Sequence, residues 1–511
     1  MNPSTEISFI KFIWQPENRK TLLKALGITV VLFIGFKLLY PYPDFFSDSY
    51  SYLFAAYANL DISIWPIGYS KFLRAFHHIT YSDTALVGVQ YLLVQLAALY
   101  LFFTILYFYT VSAFTRRVIF IFLFINPLTL YLCNTINSDA LFGALSIAWF
   151  TQLLWIVQRP RVWMIFSQAV LLFLCFTIRN NAYYYPLVAV VAFLLSRRGR
   201  WYKLGGIVMP LFLLVPFILW TQNKAYQLTG TRQFSLFTGW QLANNALYIY
   251  DQVSVDPDEL PTPQAKELNK ISVEFFRHVK PDVYRDVLES YVGNFFIRQP
   301  EAPLKTYYSK YYQSKTELEG VAKWGKASAD MEPFGKVMIL HNPIAYMRYF
   351  VWPNVFHYFV PPLSHLEQYN YGENKVEPIA SFWFHYPSTK LRSWSTGFQG
   401  IILLPFTAFF LLFNGYFIWQ LWVFTRRRGF RDKSLGAGQW ITLAYLVLNF
   451  GFSLVATVNI LRYQFLPMVI LLSFALLASD WLEEVVGQEK KQFKAKPENS
   501  ALYRVKQRQI L

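Results

Sequence analysis

The chain has little cysteine, little charge and even less negative charge. Its two cysteines, Cys133 and Cys175, both lie inside apolar runs. They offer no zinc spacing and no disulfide framework, and read as small buried hydrophobes, with a bridge between two helix ends as the alternative. Charged residues are 15% of the 511, against roughly a quarter in a soluble domain. Only 30 are acidic, against 47 basic, which leaves a net charge of +17. Asn-X-Ser/Thr acceptors are missing too, apart from Asn2-Pro3-Ser4, which its proline excludes. A long lumenal domain of the secretory pathway would often carry one, so this absence favours a bacterial plasma membrane. No internal repeat or low-complexity tract occurs. The first apolar run is too long for a cleavable signal peptide, and no small-residue cleavage pattern follows it.

Apolar and aromatic residues are what the chain has. Hydrophobic residues make up 55% and Phe, Tyr and Trp 20%, which excludes a disordered protein and an ordinary soluble enzyme. A bilayer span needs about 20 mostly apolar residues. Ten stretches read as spans: Leu22–Tyr40, Ala85–Thr110, Val118–Cys133, Ala140–Val157, Val162–Ile178, Ala182–Leu195, Leu204–Trp220, Thr396–Phe424, Leu435–Val458 and Tyr463–Trp481. The third and sixth are short and need tight, tilted pairing. With the N-terminus in the cytoplasm, the inner segments carry 23 Lys and Arg and the short outer loops carry four: Lys71, Arg74, Arg179 and Arg462. That asymmetry is the positive-inside pattern. It places both termini in the cytoplasm and accounts for most of the basic surplus without nucleic acid.

The expected fold is therefore an all-α polytopic membrane protein. It has about 10 transmembrane helices and a long, mostly helical extracytoplasmic loop domain. Residues 1–220 form an N-terminal module of about seven spans, 221–395 the loop domain, 396–481 a module of about three spans, and 482–511 a basic cytoplasmic tail. The long loop, with 18 basic and 17 acidic residues between Thr221 and Ser395, escapes the charge rule as long translocated segments do. Helices are expected over Pro263–Val279 and Pro281–Ile297. The proline-bounded aromatic segment Ile344–Val360 reads as helices lying on the membrane surface. The tail after Glu483 reads as solvated and partly disordered.

Ionisable groups inside a bilayer are expensive, and here they are confined to span ends. Lys24 and Lys37 can snorkel, Asp480 sits at the inner end of the last span, and no carboxylate or His lies in mid-membrane. This argues against an ion-coupled transporter, which typically carries carboxylates near the midplane, and directs attention to the outer surface. The first outer loop reads Pro41-Tyr42-Pro43-Asp44-Phe45-Phe46-Ser47-Asp48-Ser49-Tyr50, and Asp48 can cap a helix over Ser49–Leu60. A second surface helix starts near Pro66 and runs to His77. Asp139 opens the fourth span and could likewise be a cap. Arg179 opens the third outer loop and Arg462 lies in the last, where either could anchor in headgroups. Each of these groups sits at a helix end. Together they supply what a reaction with a base and an anion clamp needs, since guanidinium binds two phosphate oxygens at once and keeps its charge.

This pattern resembles the GT-C superfamily of membrane glycosyltransferases, which includes protein O-mannosyltransferases and the aminoarabinose transferase of lipid A. The matching features are the acids after the first span (Asp44, Asp48), the Trp65-Pro66-Ile67-Gly68-Tyr69 helix start, Asn126-Pro127 followed by Ser138-Asp139-Ala140-Leu141, and Arg179 leading to Pro186. The likeness covers about the first 200 residues and, beyond them, the layout.

The resemblance implies an inverting transfer of sugar from a polyprenyl-phosphate carrier to an acceptor hydroxyl on the outer face. The acceptor would belong to a lipid, glycan or protein. It puts the base on Asp48 or Asp44. Pro43 argues against a helix through Asp44 and so favours Asp48. Asp139 would orient the acceptor, or hold a divalent cation together with Asp48 and a loop histidine. Arg179 and Arg462 would bind the donor phosphate, and Tyr50, Asn180, Tyr183 and His357 are candidate contacts for acceptor or sugar. Two other readings stand beside this one. A transporter or flippase for lipid-linked saccharides would need polar groups lining a path across the spans. A polymerase or ligase of such saccharides would share the arginines without needing the first-loop acid.

Overall fold

Backbone polar groups in hydrocarbon must be satisfied within the segment itself, and the apolar runs meet this condition as helices. The computed structural model describes residues 7–285, 293–316, 319–456 and 458–494. In chain order its main helices are α1 (Pro16–Leu39), α2 (Ser47–Tyr57), α3 (Gly68–His77), α4 (Asp83–Phe108), α5 (Ala113–Phe124), α6 (Pro127–Asn134), α7 (Ser138–Gln158), α8 (Trp163–Ile178), α9 (Tyr185–Leu195) and α10 (Arg200–Thr229). They continue with α11 (Thr238–Leu247), α12 (Pro263–His278), α13 (Gly320–His341), α14 (Trp352–Phe359), α15 (Pro378–Trp383), α16 (Phe398–Arg426), α17 (Leu435–Ala456) and α18 (Phe465–Lys494). Among the described residues, eight helical stretches are long and apolar enough to cross a membrane: α1, α4, α5 with α6, α7, α10, α16, α17, and Leu461–Lys491. The apolar helices Trp163–Ile178 and Asn180–Leu195 are shorter. The chain is an all-α polytopic membrane protein.

The short members are thus the fifth and sixth runs, not the third and sixth. The third gains length because Ser112 caps it early, its hydroxyl accepting from Thr115 N at 3.1 Å. It then breaks where Asn126 caps a new turn begun by Pro127, with Asn126 Oδ1 accepting from Leu128 N at 2.9 Å. The helix of the seventh run, α10, continues to Thr229, past the boundary expected at 220, and the last, α18, continues to Lys494, past the expected start of the tail. Residues 495–511 lie outside the described residues.

Helices α4, α7 and the last span form the buried centre, while α1, α10 and α16 turn most of their surface outward. Aromatic stacking fills the middle: Trp149 of α7, fully buried, lies on Tyr185 of α9 with centroids 4.0 Å apart. Both cysteines are free and buried.

The segment between α10 and α16 is mostly helical, as expected, but its pieces differ. Residues 286–292, within the helix expected over Pro281–Ile297, lie outside the described residues. Helix α13 crosses α11 so closely that a Cβ at Gly239 would stand 1.7 Å from the Ser328 carbonyl oxygen. Over Pro343–Phe359 the chain is helical, with Ile344, Met347, Trp352 and Phe356 exposed and Phe350, Asn354 and Tyr358 buried. The Tyr358 hydroxyl donates to Asn449 Oδ1 of α17 at 2.9 Å. This stretch is an amphipathic element packed on the bundle.

Candidate functional site

Four of the five charged candidates, Asp48, Asp139, Arg179 and Arg462, meet at one end of the bundle. Helix α2 begins two residues earlier than the sequence suggests. Phe46 is its N-cap position, and Ser49 Oγ accepts from Phe46 N at 3.0 Å. Asp48 is therefore not the cap. It lies in the first turn, where the helix dipole favours a carboxylate. Asp139 holds the same position in α7, behind Asn137 at the N-cap. Arg179 is the extended C-cap residue that follows α8, at the elbow into α9. Arg462 sits on the turn Leu461–Gln464 that leads into α18.

Their side chains form one network. The Asp139 carboxylate takes hydrogen bonds from both arginines: Arg179 Nη1 at Oδ1, and Arg462 Nη1 at Oδ2 at 3.2 Å. Arg462 Nη2 reaches Asp48 Oδ2 at 3.3 Å and Tyr463 Oη at 3.1 Å. Side-chain exposure runs from 4% at Asp139 and 6% at Arg462 to 11% at Arg179 and 22% at Asp48. Two acids balance two arginines, and Asp48 is the member open to solvent. Tyr463 separates the like charges, with the Arg179 guanidinium 4.4 Å and that of Arg462 4.9 Å from its ring centre. Arg462 also lies 4.9 Å from the Phe46 ring centre, and its Nε is buried without a partner. Next to the network is a cavity of about 30 Å³, room for a water or two. Asp139, Arg179, Asn181, Tyr184, Tyr445, Asn449, Arg462 and Tyr463 contribute to its walls.

The neighbouring loop elements lock this end. Gly68, at the start of α3, lies against the end of α8, where a Cβ would come 2.7 Å from Thr177 O. The Tyr52 and Ser138 hydroxyls bond at 3.1 Å between α2 and α7, and burial pushes the Tyr52 phenol up to about 12. His365 stacks on Phe46 at 5.0 Å. Burial, with Arg462 and Arg298 nearby, pushes this imidazole down to about 3, so it is neutral.

The remaining sequence candidates do not join the network. Asp44, the alternative base, is 4% exposed, and its Oδ1 accepts from Asn370 N at 2.8 Å. Its backbone bonds Asn134 O and Ile136 N, tying the first loop to the second. Burial pushes its carboxyl up to about 7. Asp44 therefore clasps two loops to the segment at Asn370, a backbone position at φ 49°. Tyr50 stacks flat on Phe45 with centroids 6.0 Å apart, in the apolar cluster that includes Phe384 and Trp383 of α15. Asn180 faces a different cavity, lined by Trp65, Phe176 and Phe217, while its neighbour Asn181 lines the arginine cavity. Tyr183 packs among Phe176, Phe234 and Phe452. His357 lines a separate small cavity with Asn459. Among the described residues, no group of three His, Cys, Asp or Glu side chains is placed to hold a metal ion.

Sequence reasoning singled out neither Tyr463 nor His365 for the site. The only signal for Tyr463 was its place next to Arg462, and nothing in the order of residues brings position 365 to position 46. No family model, curated protein or solved structure matches the chain.

Proposed function

We propose that the protein is an inverting glycosyltransferase. It moves a sugar from a polyprenyl-phosphate-linked donor to an acceptor hydroxyl at the outer face of a bacterial plasma membrane, with both termini in the cytoplasm. The observation that supports this reading is the convergence of Asp48, Asp139, Arg179 and Arg462 in one network at one end of the bundle. Arg462 Nε is buried without a protein partner, and Arg462 lines the adjoining cavity, so this donor is available to a bound group. A phosphate oxygen supplies the missing acceptor. Asp48, the most exposed acid and the one with a single arginine contact, exchanges that contact for the acceptor hydroxyl.

In the proposed step Asp48 takes the proton of the acceptor hydroxyl as its oxygen bonds to the anomeric carbon. The anomeric C–O bond to phosphate breaks, and the bonding pair leaves on the lipid phosphate. The leaving group gains negative charge, which Arg179 and Arg462 stabilise in a water-poor site. Asp139 holds both guanidinia in place.

The test supplies purified protein with a panel of radiolabelled polyprenyl-phosphate sugars and compares wild type with Asp48→Asn and Asp139→Asn. Transfer by wild type and its loss in both variants support the proposal. Full transfer by Asp48→Asn would sink the base assignment and favour a ligase or polymerase. Movement of labelled lipid across the bilayer with no transfer would favour a flippase.

A further inference from the structure

A second cavity lies one step along the chain from Arg462. It is about 10 Å³ and is walled in part by Asn294, His357, Ser364 and Asn459. Three polar atoms there are buried with no partner: Asn294 Oδ1, His357 Nε2 and Asn459 Oδ1. His357 is 5% and Asn459 2% exposed. The orientation of the Asn459 amide is fixed, because its Nδ2 donates to Asn354 O and Ser453 O, both at 3.2 Å. Its unused atom is thus the carbonyl oxygen. Buried polar atoms are rarely left unpaired, and three around one small space mark a place for a group that bonds them.

The donor set selects the group. Two amide oxygens accept only, so an anion is repelled. No carboxylate lines the cavity, so a cation gains no counter-charge. Burial pushes His357 down to about 4, leaving a neutral imidazole at neutral pH. What fits is a neutral hydrogen-bond donor that can also accept, of the size of one hydroxyl. Two chain segments tie the cavity to the charged network. Ser364, at φ 53°, directs His365 onto Phe46, and Asn459 precedes Arg462 by three residues, with Leu461 N bonded to Pro362 O at 2.9 Å.

We propose that this cavity is a saccharide subsite, in which Asn294, His357 and Asn459 take one hydroxyl of a sugar whose reacting end lies at Arg462. The inference rests on the glycosyltransferase reading and adds to it a division of labour, with phosphate on the arginines and a sugar hydroxyl on the neutral amides and imidazole. The sugar belongs either to the donor or to the acceptor.

The experiment uses the full chain in lipid nanodiscs, as wild type, His357→Phe, His357→Gln and Asn294→Ala. The probes are bare polyprenyl phosphate and polyprenyl phosphates bearing a hexose, an N-acetylhexosamine or an aminopentose. For the sugar that wild type uses, His357→Phe and Asn294→Ala are expected to weaken binding by about 3- to 10-fold, the worth of one hydrogen bond. Binding of bare polyprenyl phosphate stays unchanged, and His357→Gln recovers most of the loss. If the donor constant stays fixed and the acceptor KM rises instead, the hydroxyl is the acceptor's. Wild-type donor and acceptor constants in both variants would mean that the cavity holds only water, which overturns the proposal. So would loss of bare polyprenyl phosphate binding along with the rest, since that marks a merely structural role. If wild type binds bare polyprenyl phosphate but uses none of the sugar-linked probes, the transferase reading itself fails.

Discussion

Arginines at the two ends of the helix bundle are held in opposite ways. At the end that carries α2 and the start of α7, Arg179 and Arg462 are buried against Asp139 and Asp48. At the opposite end, Arg197 donates to Lys433 O at 2.8 Å, Arg198 to Pro160 O at 3.3 Å, and Arg116 to Thr21 Oγ1 at 2.8 Å. There the guanidinia bond to carbonyls and hydroxyls, and Arg197 and Arg198 keep much of their surface in solvent. Where an acid does pair at that end, as Glu489 does with Arg427 at 3.0 Å, both side chains are about half exposed. The buried pairs are the costly arrangement. Removing two charges from water consumes most of what their attraction returns, so such pairs are weak evidence of stability. The contrast teaches that the basic surplus has two parts: many charges spread over one end, and two arginines neutralised where chemistry is proposed.

The sharpest way to break the comparison is kinetic. Asp48→Asn should lower sugar transfer by about 10²- to 10⁴-fold, the usual worth of a general base. Arg198→Ala at the other end should leave the rate within about two-fold, as surface changes generally do. Equal losses would erase the functional distinction between the ends. Next in size is Asp139→Asn, which leaves Arg179 and one arm of Arg462 without their buried counter-charge. Denaturation should show a loss of about 3–5 kcal/mol.

Asp44→Asn tests the clasp through pH. A carboxyl raised to about 7 binds its proton more tightly in the folded state than in the unfolded one, where it titrates near 3.8. Its contribution to stability therefore falls as pH rises from about 4 to about 7 and is level beyond. The asparagine variant, which keeps the acceptor for Asn370 N, should gain on wild type across that window, by up to about 4 kcal/mol. A difference in melting temperature that does not change with pH would show that Asp44 is charged throughout. The smallest effect belongs to the opposite end. Asp480 accepts from Ser112 N at 2.8 Å and Thr115 Oγ1 at 2.9 Å, capping α5 from another helix. Asp480→Ala should cost about 1 kcal/mol in the same denaturation assay, as other lost caps do, with no change in transfer rate.

Much of this architecture was legible because hydrophobic length is a local property. Eight of the ten expected runs lie in helical stretches long and apolar enough to cross a membrane, and the fifth and sixth lie in shorter apolar helices; the acids and arginines of the network were visible as charges where charge is scarce. What failed was register and partnership. Asp48 looked like a cap, but Ser49 can reach back to Phe46 N, which starts the helix earlier. Asp44 and Asp48, four residues apart, were both candidates for the base, with Pro43 favouring Asp48. The backbone bonds to Asn134 and Ile136 hold Asp44 in an extended segment and bury it, so the two part company. Asn180 was the expected contact, yet the elbow after Arg179 sends it to a different cavity and puts its neighbour Asn181 at the arginines.

The sequence by itself determined that the chain is helical, membrane-spanning and asymmetric in charge, because transfer of apolar length from water and the cost of moving charge through a bilayer act on each segment separately. The meeting of residues 48, 139, 179 and 462, the place of Tyr463 between two arginines and the unbonded atoms around His357 were decided only by tertiary structure. They depend on which helix ends lie side by side and how each is turned about its axis, and packing across the whole bundle sets both.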